Sequence, residues 1–422
     1  MKKIILFLLL SIFLPIGVNA SITPLAKVGD KYYDNLEEAI LNASSTDTIM
    51  LVSDVVLNNT LVIDKEVNIN LNGNDISAKE KVFQIKGGFL DISGSGTIRE
   101  SSPNYGAIML VGSSEVTDTK YSGVHIGSDV TLEGWSGIFI NHENSKSYGV
   151  YAYLDGKINA VDDINGDSGI GVYVNGNIKD REDHPVVNIS DGAEINSTGN
   201  GIYIAGYSTF YIGKAYISGT ESAIGIKSGI LNIDGAKVVS NGEDKTPTEG
   251  YNNGIKASGT AIQIESNNGY AGGIELNISN GEFISKNSNV IYEYIGRGNT
   301  SLIYSMSFSN GTFISKAGKD VFNFSDSFKD IHSGFISGGE YSSNPSSYLK
   351  NGYSATKEGG VYSVVKSTLK SVDSNNIRES KPTLLKSIIS LIIIVVSGLL
   401  IYFNRARISN WLSNLKYKYK KI

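Results

Sequence analysis

The sequence predicts an all-β chain, wound as a single-stranded parallel β-helix (a solenoid) and followed by one C-terminal transmembrane helix. Three observations carry this prediction. Apolar and polar residues alternate with a period of two over most of the chain, turn residues recur at regular intervals, and an uncharged apolar run lies near the C-terminus. A long β-rich region therefore lies between two hydrophobic ends.

Residues 1–20 have the features of a secretory signal peptide. Lys2 and Lys3 supply a positive start, Ile4–Ile16 is mostly apolar, and the sequence Val-Asn-Ala at 18–20 suits cleavage. A buried N-terminal helix is the weaker alternative, because polar, strand-like sequence follows at once. We therefore expect an exported chain.

Residues 21–50 are predicted to cap the N-terminal end of the β-region. Leu36, Ala39 and Ile40 lie on one face of one or two helical turns. A stack of strands ends in unpaired backbone groups, which need a cover. The segment 36–43 is the candidate cover.

Residues 51–365 are predicted to form the parallel β-helix. Val67, Ile69 and Leu71 alternate with asparagines, as expected for strands with one buried face. Gly, Asn, Asp and Ser interrupt these strands every few residues, as tight turns require.

The turns are themselves periodic. One turn type recurs at Gly192, Gly235, Gly281, Gly311 and Gly339, in steps of 43, 46, 30 and 28 residues. We expect the first two steps to divide into halves near 22 residues. A second series of apolar runs begins at Gly201, Ala223, Ala261, Val290 and Val321. A repeat of about 22 residues suits one coil of a β-helix, whereas a propeller blade needs about 40.

Two nearly identical segments fit this scheme. "SNGEFISK" occupies Ser279–Lys286 and "SNGTFISK" occupies Ser309–Lys316. We expect them to be equivalent turns of successive coils, with Asn-Gly making the bend and Phe and Ile at the core edge. The Ser-Lys pair should face outward, and the differing residues, Glu282 and Thr312, should face solvent.

The C-terminal region is predicted to anchor the protein. A polar linker at 366–383 precedes an apolar segment at 384–403. Eighteen residues of helix span about 27 Å, which is enough to cross the core of a bilayer. The tail, 404–422, holds six basic residues and no acidic one, which favours a cytoplasmic tail and an extracellular ectodomain. A buried core helix is the weaker alternative, and residues 380–385 lack the L-P-x-T-G-like motif of a cleaved wall-sorting signal.

Charge and composition restrict the function classes. All 42 acidic residues but only 28 of the 37 basic ones lie between the two hydrophobic segments, a net charge of about −14. Such a surface argues against nucleic acid and anionic membrane as partners. The absence of cysteine excludes disulfides and thiol chemistry, and an exported chain without disulfides fits a bacterium.

Two segments resemble bacterial, Bacillota-type surface proteins with a pectin-lyase-like β-helix. One is "AKVGDKYYDNLEEAILNASSTDTIMLVSDV", Ala26–Val55, continuing to "VNINLNGNDI", Val67–Ile76; the other is "ISGGEYSSNPSSYLKNGYSATKEGGVYSVV", Ile336–Val365. The resemblance implies a right-handed helix, exposure at the cell surface, and roles such as adhesion or carbohydrate contact. It supplies no catalytic residue.

The acidic turn near residue 163 is the first candidate site. A pectin hydrolase of this fold would show an Asn-Thr-Asp triplet, an Asp pair, a Gly-His-Gly and an Arg-Ile-Lys, and only Asp162-Asp163 is present. Asp163, Asn165 and Asp167 alternate like the start of a calcium loop, but the Gly at the sixth position and the Glu at the twelfth are missing. A solvated turn is favoured, with a Ca²⁺ site left open and no other cofactor expected.

The densest charged stretch, Lys179–Pro185, is the second candidate. It interrupts the strand rhythm and should form a loop projecting from one coil, where function tends to reside. Arg181 and Asp183 are its candidate ligand contacts, against the alternative of a solvated excursion.

The sequence thus favours a membrane-anchored, non-catalytic, adhesin-like module that contacts a glycan or host surface. A polysaccharide lyase or glycoside hydrolase on the same fold is the alternative, and a structural envelope spacer is the third. A lateral groove where at least two carboxylates, or an Arg or Lys with an Asp, converge would favour the enzyme.

Overall fold

The structure is a computed structural model that describes residues 23–116, 121–245, 259–331 and 333–367. Contacts divide the chain into Met1–Ser367 and Thr368–Ile422, and every described residue belongs to the first unit. The predicted signal peptide, transmembrane helix, basic tail and most of the linker lie outside the described residues, as does His332. Within the described ranges, no helix has the length and apolar character needed to cross a membrane.

The chain begins with a hairpin and a helix. Strand β1 (Ala26–Val28) pairs antiparallel with β2 (Lys31–Tyr33), and helix α1 (Leu36–Asn42) follows. The Oδ1 atom of Asn35 accepts a hydrogen bond of 2.7 Å from the N–H of Glu37 and so caps the helix. Leu36, Ala39 and Ile40 are its buried face. The predicted helical turns are therefore confirmed, and a hairpin that was not predicted precedes them.

Parallel strands then follow one another along the chain, here divided into three consecutive groups. The first group is β3 (Thr48–Leu51), β4 (Val55–Leu57), β5 (Leu61–Ile63), β6 (Glu66–Asn70), β7 (Ile76–Ala78), β8 (Phe83–Ile85), β9 (Phe89–Ser93), β10 (Gly96–Glu100) and β11 (Ile108–Val111). The second is β12 (Ser122–Ile126), β13 (Val130–Gly134), β14 (Ser136–Asn141), β15 (Val150–Leu154), β16 (Lys157–Ala160), β17 (Ile170–Val174), β18 (Val186–Ile189), β19 (Glu194–Ser197) and β20 (Asn200–Ile204). The third is β21 (Thr209–Ile212), β22 (Tyr216–Gly219), β23 (Ile224–Ile226), β24 (Gly229–Ser240), β25 (Ile262–Asn267), β26 (Ile274–Ser285), β27 (Ile291–Arg297), β28 (Ile303–Phe308), β29 (Thr312–Ser315) and β30 (Phe322–Asn323).

Short elements close the region. They are α2 (Asp326–Ile331), β31 (Glu340–Tyr341), a 3₁₀ turn (Ser346–Tyr348), β32 (Tyr353–Glu358) and β33 (Val361–Lys366). Strand β33 pairs antiparallel with both β31 and β32, so the parallel stack ends in a hairpin. Helix α2 was not predicted, and Lys366, assigned to the linker, is the last residue of β33.

The parallel strands form three columns, in which each strand pairs with its counterpart from the next pass of the chain. The first column is β3-β6-β9-β12-β15-β18-β21-β24-β26-β28, and the second is β4-β7-β10-β13-β16-β19-β22-β24-β26-β29. The third is the 10-stranded sheet β5-β8-β11-β14-β17-β20-β23-β25-β27-β30. One pass, which we call a coil, adds a strand to each column, and the long strands β24 and β26 each serve two columns. This mainly β, parallel architecture is compatible with the predicted β-helix.

Apolar side chains at equivalent positions of successive coils stack to build the core. Equivalent inward positions in the first column are held by Ile69, Ile92, Ile126, Leu154, Ile189, Ile212 and Ile233, each at most 2% exposed. A polar group there would lose its water without gaining a partner. The period-two alternation then directs the neighbours of these residues outward.

The repeat spacing is confirmed in one place and corrected in another. Ile189, Ile212 and Ile233 occupy successive coils, so the first long step does divide into halves. Ile233, however, pairs directly with Ile278, 45 residues later. The predicted halving of the second step is wrong, because residues 241–261 intervene between β24 and β25. The second series of apolar runs is confirmed as β20, β23, β25, β27 and β30 of the third column.

The twin segments lie in adjacent coils, as predicted. Phe283 pairs with Phe313, their rings stack with centroids 4.8 Å apart, and both are buried. The serines differ from the prediction. Ser285 and Ser315 are buried, and their hydroxyls donate to the carbonyls of Gly259 (2.9 Å) and Ser288 (2.8 Å). A small hydroxyl at this corner satisfies a carbonyl that water does not reach.

Replacing Phe313 with Ala should destabilise the protein strongly. Its ring lies between Phe283 and Tyr341, at 4.8 and 4.9 Å. Loss of such a buried ring typically costs about 3–5 kcal/mol of unfolding free energy. Denaturant unfolding followed by circular dichroism measures the change, with exposed Lys316→Ala as the control. Equal unfolding midpoints for the two variants would contradict the predicted stacking.

Candidate functional site

A continuous row of polar and aromatic side chains runs along the outer face of the first column. Strand register places one outward residue of each coil at the same position. These residues, which we call the outer row, are Asn68, Asp91, His125, Tyr153, Asn188, Tyr211, Asn232, Asn277 and Ser307. Neighbouring members are separated by one strand spacing, about 4.8 Å. The row therefore offers an extended surface across many coils.

His125 lies between two carboxylates at one part of this row. Its Nδ1 is 2.8 Å from Asp91 Oδ1, and its Nε2 is 2.9 Å from Asp155 Oδ2. Asp91 is the neighbouring member of the row, and Asp155 lies in the turn after β15. Burial acts to lower the pKa of His125, but the hydrogen bonds to Asp155 and Asp91 outweigh it and raise that pKa. An imidazolium that donates from both nitrogens is therefore favoured.

The Asp155 carboxylate is stabilised in its charged form. Burial acts to raise its pKa, but hydrogen bonds from His125 and Ser190 outweigh that effect and lower the pKa. The carboxylate lone pairs of the cluster that His125 does not use can accept hydrogen bonds from hydroxyl groups.

Three adjacent members of the row leave their polar groups open to a ligand. Tyr153, Asn188 and Tyr211 follow one another on β15, β18 and β21, and the two tyrosines are 38% and 51% exposed. Within the described part of the chain, neither phenol nor the Asn188 amide makes a side-chain hydrogen bond. The tyrosines are two strand spacings apart, about 10 Å. We call these residues the Tyr-Asn-Tyr triad.

A groove of about 460 Å³ continues from the triad, a size typical of ligand sites. Asn188 and Tyr211 line it at one end, with Asn232 and Asn277 further along. Asn277 Nδ2 donates to Asn232 Oδ1 (3.0 Å), and Asn232 Nδ2 donates to the Phe210 carbonyl (3.2 Å). At the far end of the groove, the side-chain amides are thus engaged in hydrogen bonds within the protein. At the triad end, the side chains keep free donors and acceptors.

The acidic turn predicted as a candidate site lies elsewhere. Asp162, Asp163, Asn165 and Asp167 follow β16, outside the outer row and the groove lining. Asp163 Oδ1 accepts hydrogen bonds of 2.8 Å from the N–H groups of both Asn165 and Asp167. Burial acts to raise the pKa of Asp163, but these bonds outweigh it and lower the pKa. The carboxylate therefore serves its own turn, and no described residues form a group of three or more metal-ligating side chains.

The charged loop at 179–185 is held against the protein. The Arg181 guanidinium lies 4.5 Å from the centre of the Tyr207 ring and donates to its hydroxyl at 3.1 Å. His184 packs edge-on against the same ring at 4.9 Å. Asp183 has a left-handed backbone (φ 43°), and its carbonyl accepts from the N–H of Gly149. Arg181, predicted as a ligand contact, is thus already engaged within the protein.

Sequence reasoning missed the residues of the outer row. His125 lies in none of the pectin-hydrolase motifs named above, and Tyr153 is an ordinary residue for a strand. The usable signal was alternation, because each lies beside an inward Ile, Leu or Val. Comparison with protein-family models, with curated proteins and with solved structures gives no match. The functional assignment therefore rests on the geometry of the outer row.

The Asp91–His125–Asp155 cluster should make stability depend on pH. Because folding raises the pKa of His125, its stabilising contribution is complete below the unfolded value of about 6.5 and is lost as pH rises through the folded pKa. One third of the side chain remains in water, so the contribution should be at most about 1 kcal/mol.

Thermal melts of wild type and His125→Gln between about pH 5.5 and 9 measure this dependence. This range lies above the ordinary Asp pKa of about 3.9, so carboxylate titration does not interfere. The wild-type advantage in Tm should be largest at the acidic end and shrink toward the basic end. An advantage independent of pH would show that the imidazolium does not bridge the two carboxylates.

Proposed function

We propose that the protein is a cell-surface β-helix module that binds glycan chains along its outer row without cleaving them. The Tyr-Asn-Tyr triad is the observation that carries this proposal. Exposed tyrosine rings provide flat apolar faces for the C–H faces of sugars, and an amide between them can donate to and accept from hydroxyls. Such a surface suits an uncharged, hydroxylated, extended ligand.

The direction of the row supports an extended ligand. Its members come from successive coils, so a bound chain would cross the strands and meet one side chain at each step. The two tyrosines, about 10 Å apart, are separated by roughly the length of a disaccharide unit. The free triad provides the primary contacts, and the amide-lined groove beyond it provides room for further sugars.

The proposed setting combines the fold with the sequence features of the chain ends. The fold is taken as a single-stranded parallel β-helix, with the right-handedness that the resemblance to pectin-lyase-like surface proteins implies. Residues 1–20 would direct export, and 384–403 would anchor the protein with its basic tail in the cytoplasm. The outer row would then face the extracellular medium.

Replacing either triad tyrosine should weaken glycan binding. A glycan array probed with the purified protein identifies the ligand, and calorimetry then compares wild type with Tyr153→Ala and Tyr211→Ala. We expect each substitution to raise Kd about 10-fold, as for the loss of about 1.4 kcal/mol of stacking and contact energy. Tyr304→Ala is the matched control, because Tyr304 is 55% exposed but lies outside the row. Unchanged affinity in both triad variants would refute the proposed site.

Cleavage of a polysaccharide is the second candidate function. The two carboxylates that converge on His125, next to Tyr153 in the same row, favour it. Two carboxyl groups beside a bound sugar are the usual equipment of a glycoside hydrolase. In this protein, however, both are already bonded to the imidazolium, which favours positioning over proton transfer.

The purified protein should therefore bind its glycan without releasing reducing or unsaturated ends. A colorimetric assay for reducing ends and ultraviolet detection of unsaturated ends test this. Release that disappears in Asp155→Asn would replace binding by catalysis as the function. The absence of any ligand across the array would instead favour a structural envelope spacer.

A further inference from the structure

A second cleft, of about 470 Å³, lies on the outer side of the third column. Tyr173 and Tyr203, adjacent in register on β17 and β20, form its floor. Lys179, from the charged loop, and Arg297, from the end of β27, lie at its rim. It shares no lining residue with the groove of the outer row.

The tyrosine floor is rigid and remains protonated. Tyr173 stacks on Phe139 with ring centroids 4.8 Å apart and contacts Tyr203 at 5.5 Å. Burial raises the pKa of Tyr173 to about 12 and also raises the pKa of Tyr203. The Tyr173 hydroxyl therefore remains a hydrogen-bond donor at neutral pH.

A buried ion pair supports one wall of the cleft. Lys227 Nζ lies 2.8 Å from Glu265 Oε2, and their side chains are only 5% and 8% exposed. The same ammonium donates to the Tyr270 hydroxyl at 3.0 Å and lies 4.6 Å from the centre of that ring. A Cβ at Gly176 would come within 2.6 Å of the Tyr270 ring, so glycine allows the two loops to meet there. The Tyr270 wall is thus built in advance of any ligand.

The rim carries positive charge that the described protein does not neutralise. Lys179 and Arg297 are exposed, and neither forms an ion pair with another described residue. Among the described residues that line the cleft, none is acidic. The Glu265 charge beneath the cleft is already paired with Lys227. Two free cations over one cleft are unusual in a chain whose net charge is −5, and they suit an anion.

A free amide adds a further contact. Asn177 is exposed at the cleft, and its side chain makes no hydrogen bond to the described part of the chain. The cleft thus combines an aromatic floor, two cations and a neutral donor and acceptor, in a volume typical of small-ligand sites. An inorganic anion would use only the cations and would leave the floor without a partner.

We propose that this cleft binds an acidic sugar residue, with Lys179 and Arg297 holding its carboxylate or sulfate and Tyr173 and Asn177 contacting its ring and hydroxyls. This site is independent of the outer row and selects a different ligand chemistry. It gives the protein two ligand-binding faces, one for uncharged and one for anionic sugars.

Calorimetry on the full-length protein in detergent tests the proposal with four probes: glucuronic acid, a sulfated hexose, glucose and inorganic sulfate. The first two separate carboxylate from sulfate as the preferred anion. We expect at least one acidic sugar to bind, with Kd rising as salt is added, and glucose to show no binding at this cleft. Inorganic sulfate that binds as tightly as either sugar would refute a role for the floor.

Two matched variants isolate the rim cations. Lys179→Gln with Arg297→Gln should raise Kd for the acidic sugar at least 10-fold, while Lys316→Gln with Lys350→Gln removes two exposed charges elsewhere and should leave it unchanged. Equal Kd values in the two double variants would overturn the site. Tyr173→Phe, which keeps the stacked ring, should weaken binding several-fold. Tyr211→Ala should leave it intact, so failure of the outer row and failure of the cleft are distinguishable.

Discussion

The rest of the structure depends on the stacking of aliphatic side chains at the same inward positions of successive coils. Ile92, Ile126 and Leu154 show this constraint in three successive coils. Parallel pairing keeps their register, because a shift of one residue would turn each of them toward water. The same register fixes the outward neighbours, so Asp91, His125 and Tyr153 align without any sequence signal of their own. The alignment of the outer row is thus a consequence of the register that the core imposes.

This dependence explains what the sequence could and could not predict. The alternation at Val67, Ile69 and Leu71 is local, and the strands were predicted from it correctly. The α1 cap was equally accessible, since its apolar face and Asn35 lie within one short segment. Alignment between coils is not local, because coil length varies from 20 residues at Ile49–Ile69 to 45 at Ile233–Ile278. The outer row could be recognised only after that alignment was known.

The same lack of information about alignment between coils explains why the predicted acidic-turn site does not lie in the outer row. Clusters along the sequence, such as Asp163 with Asp167, satisfy the backbone of their own turn. Buried charges elsewhere have a similar structural task. Both Glu100 oxygens accept backbone N–H groups, including that of Gly106 at 2.9 Å, and so hold the chain between β10 and β11. In this protein, charges close in sequence stabilise turns, whereas the members of the outer row come from different coils.

The two proposed ligand faces follow from how each column is covered. On the outer side of the first column, Tyr153 and Tyr211 remain 38% and 51% exposed. The third column is overlaid by its own longer connections, and its outward Tyr203 is only 2% exposed. Loops that cover a strand face turn a flat row of side chains into a cleft. Charged side chains buried by these loops need a partner of opposite charge, as in the Lys227–Glu265 ion pair. Coil length therefore decides whether an outward position becomes part of a surface or part of a pocket.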